Sequence, residues 1–82
     1  MRIEKLLKKL QKKPAPNDFL YKDLVTIFES FGFEVKSGNG SRRKFVSRKK
    51  QVFNLHEPHP EKTIKRYVIQ NALKFLKDHG YI

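Results

Sequence analysis

The fold this chain predicts is α+β in two layers, a three-stranded antiparallel sheet with helices on one face. Three observations carry that expectation. Apolar residues recur at helical spacing near both ends of the sequence, they alternate with polar residues through its middle, and glycines and prolines stand where one period gives way to the other. The resulting order is α-α-β-β-β-α. A chain of 82 residues buries about 60% of its unfolded surface, enough for one thin core, so residues 1–82 are read as a single domain. Residues 1–16 are its helical extension and proline linker, and residues 20–82 its core.

The first helix rests on Ile3, Leu6, Leu7 and Leu10, spaced i, i+3, i+4, i+7, with Lys5, Lys8, Lys9, Lys12 and Lys13 on the remaining arc. It is expected from Arg2 to Lys13, where Pro14 and Pro16 stop it. A basic amphipathic helix also suits a membrane surface, but this one is short and has no aromatic anchor, which favours packing onto its own domain. The second helix starts at about Tyr21. Leu20, Leu24, Ile27, Phe28 and Phe31 form its apolar stripe, and Gly32 stands where a helix-terminating glycine is expected.

Beyond Gly32 the period shortens to two. Phe33 and Val35 alternate with polar neighbours, Ser37-Gly38-Asn39-Gly40 supplies a turn, and Arg42 to Ser47 alternates again, which predicts a β-hairpin. A charged turn, Arg48-Lys49-Lys50, leads into a third alternating segment from Gln51 to His56, ended by Pro58 and Pro60. The last helix is expected to begin near Glu61 to Thr63. Ile64, Tyr67, Val68, Ala72, Phe75 and Leu76 form its inner stripe, Lys65, Arg66, Gln70, Lys74 and Lys77 its outer one, and Gly80 ends it.

Alternation divides the sheet into two faces. Phe33, Val35, Phe45, Phe53 and Leu55 suit the face the helices cover, which leaves Arg42, Lys44, Val46, Val52, Asn54 and His56 pointing to solvent. That open face is where function is expected.

Nineteen Lys and Arg against eight Asp and Glu give a net charge of +11, so a polyanion, above all nucleic acid, is the first partner to consider. There is no cysteine, hence no disulfide frame and no thiolate metal site. The first residues lack the continuous apolar run of a signal peptide, and no stretch reaches the roughly 20 apolar residues of a membrane span, so a soluble cytoplasmic protein is expected.

Arg42, Arg43, Lys44 and Asn54 are candidate RNA-binding residues, with Gly40 and Ser41 of the turn allowing close approach and Lys62, Lys65 and Arg66 extending the basic surface. The alternative for the Arg-Arg-Lys run is a charged edge that discourages strand aggregation. His56 and His59 bracket Glu57 and Pro58. They are either surface histidines, the start of a metal site with Glu57, or proton-transfer groups. No Ser-His-Asp arrangement, phosphate loop or carboxylate pair is evident, so in an enzyme histidine is the plausible general base, with basic residues stabilising charge. RNA suits such a site, because a histidine can deprotonate a ribose 2′-OH that then attacks the adjacent phosphate, with no metal and no cofactor.

From Lys22 to about Gly80 the chain carries K-D-L-V-x-x-F-x-x-x-G-F, then G-S-R-R-K-F, then H-x-P-H-P before the closing helix. This series resembles the HicA-like toxins of bacterial toxin–antitoxin systems, in a longer subgroup with an N-terminal helical extension. The resemblance implies a double-stranded-RNA-binding-domain-like fold and an mRNA-cleaving endoribonuclease toxin, neutralised by an acidic HicB-like antitoxin. Family members usually carry a catalytic histidine directly after the Gly-Ser pair, a place held here by Arg42, whose guanidinium stays protonated. The resemblance therefore directs the catalytic role to His59, which best matches the family's histidine after the third strand, or to His56. A non-catalytic RNA-binding module and an interaction domain for an acidic protein are the other readings of the same face.

Overall fold

The computed structural model describes residues 2–58 and 61–82. Its elements are α1 (Arg2–Leu10), α2 (Tyr21–Ser30), β1 (Glu34–Ser37), β2 (Arg42–Val46), β3 (Val52–His56) and α3 (Arg66–Asp78), the expected α-α-β-β-β-α order. The strands form an antiparallel meander in the order β1-β2-β3. Leu24, Ile27 and Phe28 of α2 and Ile69, Ala72 and Leu76 of α3 pack with Phe45, Phe53 and Leu55 of the sheet, and with Phe33 just before β1, in one core. The helices thus lie on one face, and the other is open.

Both core helices end in the same device. At α2, Gly32 takes φ +90°, its N–H reaches the carbonyl of Glu29 at 3.0 Å, and the N–H of Phe33 reaches that of Phe28 at 3.1 Å. At α3, Gly80 (φ +78°) donates to Lys77 and Tyr81 donates to Leu76. This pairing satisfies carbonyls that the helix leaves unbonded, and it needs a residue that adopts positive φ without strain. The ring of Phe33 closes edge-on against Phe28 at 5.1 Å, so the chain turns straight from helix into strand.

The start of α3 differs from the sequence expectation. The helix begins at Arg66, not near Glu61 to Thr63, because the preceding residues are extended and pair with the entry to α2. Thr63 bridges Leu20, Tyr21 donates to the carbonyl of Lys62 at 2.9 Å, and Ile64 donates to that of Phe19 at 2.9 Å. Leu20 has no side chain able to cap α2, so this backbone pairing takes up the first of its free donors. Ile64 is buried there, outside the helix.

The inner face of α3 differs too. Its buried residues are Ile69, Ala72 and Leu76, and Tyr67, expected inside, is 59% exposed. Tyr67 precedes Ile69 by two residues, which is about 200° around the helix, so burying one exposes the other. At the N-terminal end, α1 closes at Leu10 rather than Lys13; Gln11 and Lys12 complete it with bonds back to Leu7 and Lys9. Leu10 is fully buried, and α1 packs against α2.

Candidate nucleic-acid interface

The open face is assembled by the register of the meander. Arg42 stands opposite His56, and Lys44 opposite Asn54, all exposed. Lys44 faces Lys36 of β1 on its other side. Like charges directly opposite one another destabilise an antiparallel pair, and among the described residues no ion pair involves Lys36, Arg42 or Lys44. An anion lying across the strands relieves that repulsion.

Arg42, Lys44, Asn54 and His56 line a shallow hollow of about 580 Å³ together with Gly38 and Asn39 of the β1–β2 turn. The turn lies close over Arg42. Gly38 donates to the Arg42 carbonyl at 2.8 Å, and a Cβ at Gly38 would meet the Arg42 Cβ at 3.2 Å. Gly40 follows at φ +61°. The close approach of the turn to Arg42 therefore depends on the missing side chain of Gly38, and the turn's positive φ on Gly40.

Ser41 ties the turn to the end of β3 twice. Its carbonyl accepts the N–H of Glu57 at 2.7 Å, and its Oγ lies 3.3 Å from Nδ1 of His56. With Nδ1 protonated and donating to Ser41, the Nε2 lone pair of His56 is available to take a proton.

Arg43 belongs to the other face. The period of two carries it to the side of Leu55, its partner in the register, and its side chain is only 20% exposed. Its Nε donates to Oε1 of Glu57 at 2.9 Å, and its Nη1 to the carbonyls of Gly40 (3.0 Å) and Arg42 (2.8 Å). Nearby, burial and the charge of Glu57 push the Tyr21 phenol above its ordinary pKa of 10.0, against the opposing effects of the Arg43 charge and hydrogen bond.

The remaining sequence candidates are spread more widely. Lys65 lines a second hollow on the other side of His56, Lys62 lines a third with Tyr21 and Glu57, and Arg66 is exposed at the first residue of α3. His59 lies outside the described residues. No group of three or more His, Cys, Asp or Glu among the described residues is placed to hold a metal ion, and no helix among them is long and apolar enough to cross a membrane.

Sequence reasoning passed over Lys36 and the pairing of Glu57 with Arg43. The signal for the second was present: an arginine one residue from outward-facing Arg42 and Lys44 points to the covered face, where a cation needs a partner.

Residues 21–80 match the family model described as the HicA toxin of bacterial toxin–antitoxin systems. No curated protein and no solved structure matches the chain.

Proposed function

We propose that this chain, which belongs to the HicA toxin family, cleaves single-stranded RNA across its open sheet face, with His56 as general base and Arg42 and Lys44 as the phosphate clamp. The family is one of toxins that generally act as mRNA-cleaving ribonucleases and are paired with an antitoxin. The observation that carries the reading is the cross-strand pair of Arg42 and His56, which sets a permanent cation beside a titratable imidazole on an exposed surface.

In this mechanism the Nε2 of His56 removes the proton of a ribose 2′-OH. The 2′ oxygen attacks the adjacent phosphorus while the bond from phosphorus to the 5′ oxygen breaks. Arg42 and Lys44 stabilise the negative charge that develops on the phosphoryl oxygens. The departing 5′ oxygen takes a proton, for which His59 is the proposed donor. The products are a 2′,3′-cyclic phosphate and a 5′-hydroxyl. Ser41 holds the imidazole by its Nδ1, and Asn54 and Gly40 border the path of the RNA backbone. The proposed antitoxin is an acidic HicB-like protein, since a surface of net positive charge is covered best by carboxylates.

The test is digestion of a single-stranded RNA by the purified chain, followed by analysis of fragment ends. Fragments bearing 2′,3′-cyclic phosphates are expected, with His56→Ala losing about 10²- to 10⁴-fold in rate at unchanged RNA affinity. If His56→Ala, His59→Ala and the double variant all cleave at the wild-type rate, histidine catalysis is the wrong account. Shifted RNA bands without fragments would favour the non-catalytic reading, which the arginine at position 42 makes the leading competitor.

A further inference from the structure

We propose that Tyr67 is a stacking platform for an unpaired RNA base next to the phosphate that Arg42 and Lys44 hold beside His56, an inference that rests on the RNA-cleaving reading above. Tyr67 is 59% exposed, whereas every phenylalanine and the other two tyrosines are buried or half-buried. Among the described residues its ring packs on no other aromatic ring and its hydroxyl has no hydrogen-bond partner. The core therefore does not account for it.

Its position does. Tyr67 lines a hollow of about 330 Å³ between the end of β3 and the start of α3, with His56, Pro58, Glu61 and Lys65 on its walls. His56 also lines the hollow of Arg42, Lys44 and Asn54. The imidazole thus stands on the rim that the two hollows share, with cations on one side and an exposed aromatic ring on the other. A strand of RNA that lays one phosphate against Arg42 and His56 carries its neighbouring nucleotide over that rim.

The chemistry of the second hollow suits a base better than a phosphate. Tyrosine offers a flat apolar face to any base, and Lys65 offers charge to the following phosphate. Glu61 repels a phosphate placed deep in the hollow but accepts hydrogen bonds from an exocyclic amine of a base. A base in a duplex is already stacked and cannot reach the ring, so this platform selects single-stranded segments.

The test measures binding of a single-stranded oligoribonucleotide to full-length chains in the His56→Ala background, which keeps the probe intact. Tyr67→Ala is expected to weaken affinity about five- to 150-fold, and Tyr67→Phe, which keeps the ring, to restore it. The loss should shrink when the probe carries one abasic nucleotide at the contacted position. The melting temperature of Tyr67→Ala should match that of its parent, because the side chain is exposed. If Tyr67→Ala binds the probe as tightly as its parent while Arg42→Ala binds it more weakly, the stacking role is overturned and the RNA-cleaving reading stands. If neither variant changes affinity, both fall. If Tyr67→Ala weakens only the complex with an acidic antitoxin, the residue belongs to a protein contact and the stacking proposal is wrong.

Discussion

Arg43 Nε donates to Oε1 of Glu57 at 2.9 Å across the β2–β3 pair, and the same guanidinium holds the carbonyls of Gly40 and Arg42. One side chain thereby clamps the hairpin turn to the segment that follows His56. Arg43→Ala and Glu57→Ala should each cost about 1–2 kcal/mol, since the pair is partly exposed and its bonds are partly replaced by water. The double variant should cost less than the sum. Cleavage rate should fall with RNA affinity nearly unchanged, because the Arg43 guanidinium is taken up by Glu57 and the carbonyls of Gly40 and Arg42 and serves to position the strand end that carries His56. Additive stability losses in denaturant titration would separate the two residues energetically and remove the clamp.

Lys36 and Lys44 face one another on the open side of β1 and β2. Replacing Lys36 by Gln should stabilise the free protein by about 0.2–1 kcal/mol by relieving like-charge repulsion. The same change should weaken RNA binding and flatten its logarithmic salt dependence by about 0.7, as should Arg42→Ala and Lys44→Ala singly. A variant that moves stability and affinity in opposite directions is the signature of charges arranged for a ligand. Unchanged salt dependence in all three would show that RNA does not cross this face.

Tyr21 supplies a pH dependence. Its phenol is raised above the ordinary 10.0 by burial first and by Glu57 second, so the folded state favours the protonated form. The stability this confers is fully present below the unfolded pKa and is lost as pH rises through the higher folded value. Glu57→Gln removes a raising charge and leaves the Arg43 cation unneutralised, so Tyr21 should ionise at lower pH in that variant. Ultraviolet titration of tyrosinate, with Tyr21→Phe to assign the step, measures it. An upward shift in Glu57→Gln would contradict the arrangement.

Phe28 is the hub of the core, fully buried with ring centroids of Phe45 at 4.7 Å, Phe33 at 5.1 Å and Phe53 at 5.4 Å. Phe28→Ala should cost about 3–5 kcal/mol, much of the stability of so small a domain. Phe28→Leu should cost less, and the difference in denaturant midpoint between the two reads how far the site collapses. A cost below about 1 kcal/mol for Phe28→Ala would mean that the surrounding rings close the cavity.

Much of the open face was legible because strand periodicity is local. Once Phe45, Phe53 and Leu55 must point inward, Arg42, Lys44, Asn54 and His56 point outward, and the observed pairs Arg42 with His56 and Lys44 with Asn54 follow that division. The helix ends were legible for the same reason: Gly32 and Gly80 stand at positions that need positive φ. Family membership was readable from the order of these short motifs.

By itself, then, the sequence determined the α-α-β-β-β-α order, the two faces of the sheet and the placing of Arg42 and Lys44 on the open one, since periods of 2 and 3.6 residues are properties of neighbouring residues. Tertiary structure alone decided where α3 begins, because Thr63 is held extended by Leu20, some forty residues earlier in the chain. It decided the phase of that helix, since several apolar stripes fit the pattern and only packing against β3 and α2 selects Ile69 over Tyr67. It also decided that Arg43 is bound to Glu57 while Lys36 meets Lys44 without a counterion among the described residues, because pairing partners across strands are set by register and not by local spacing.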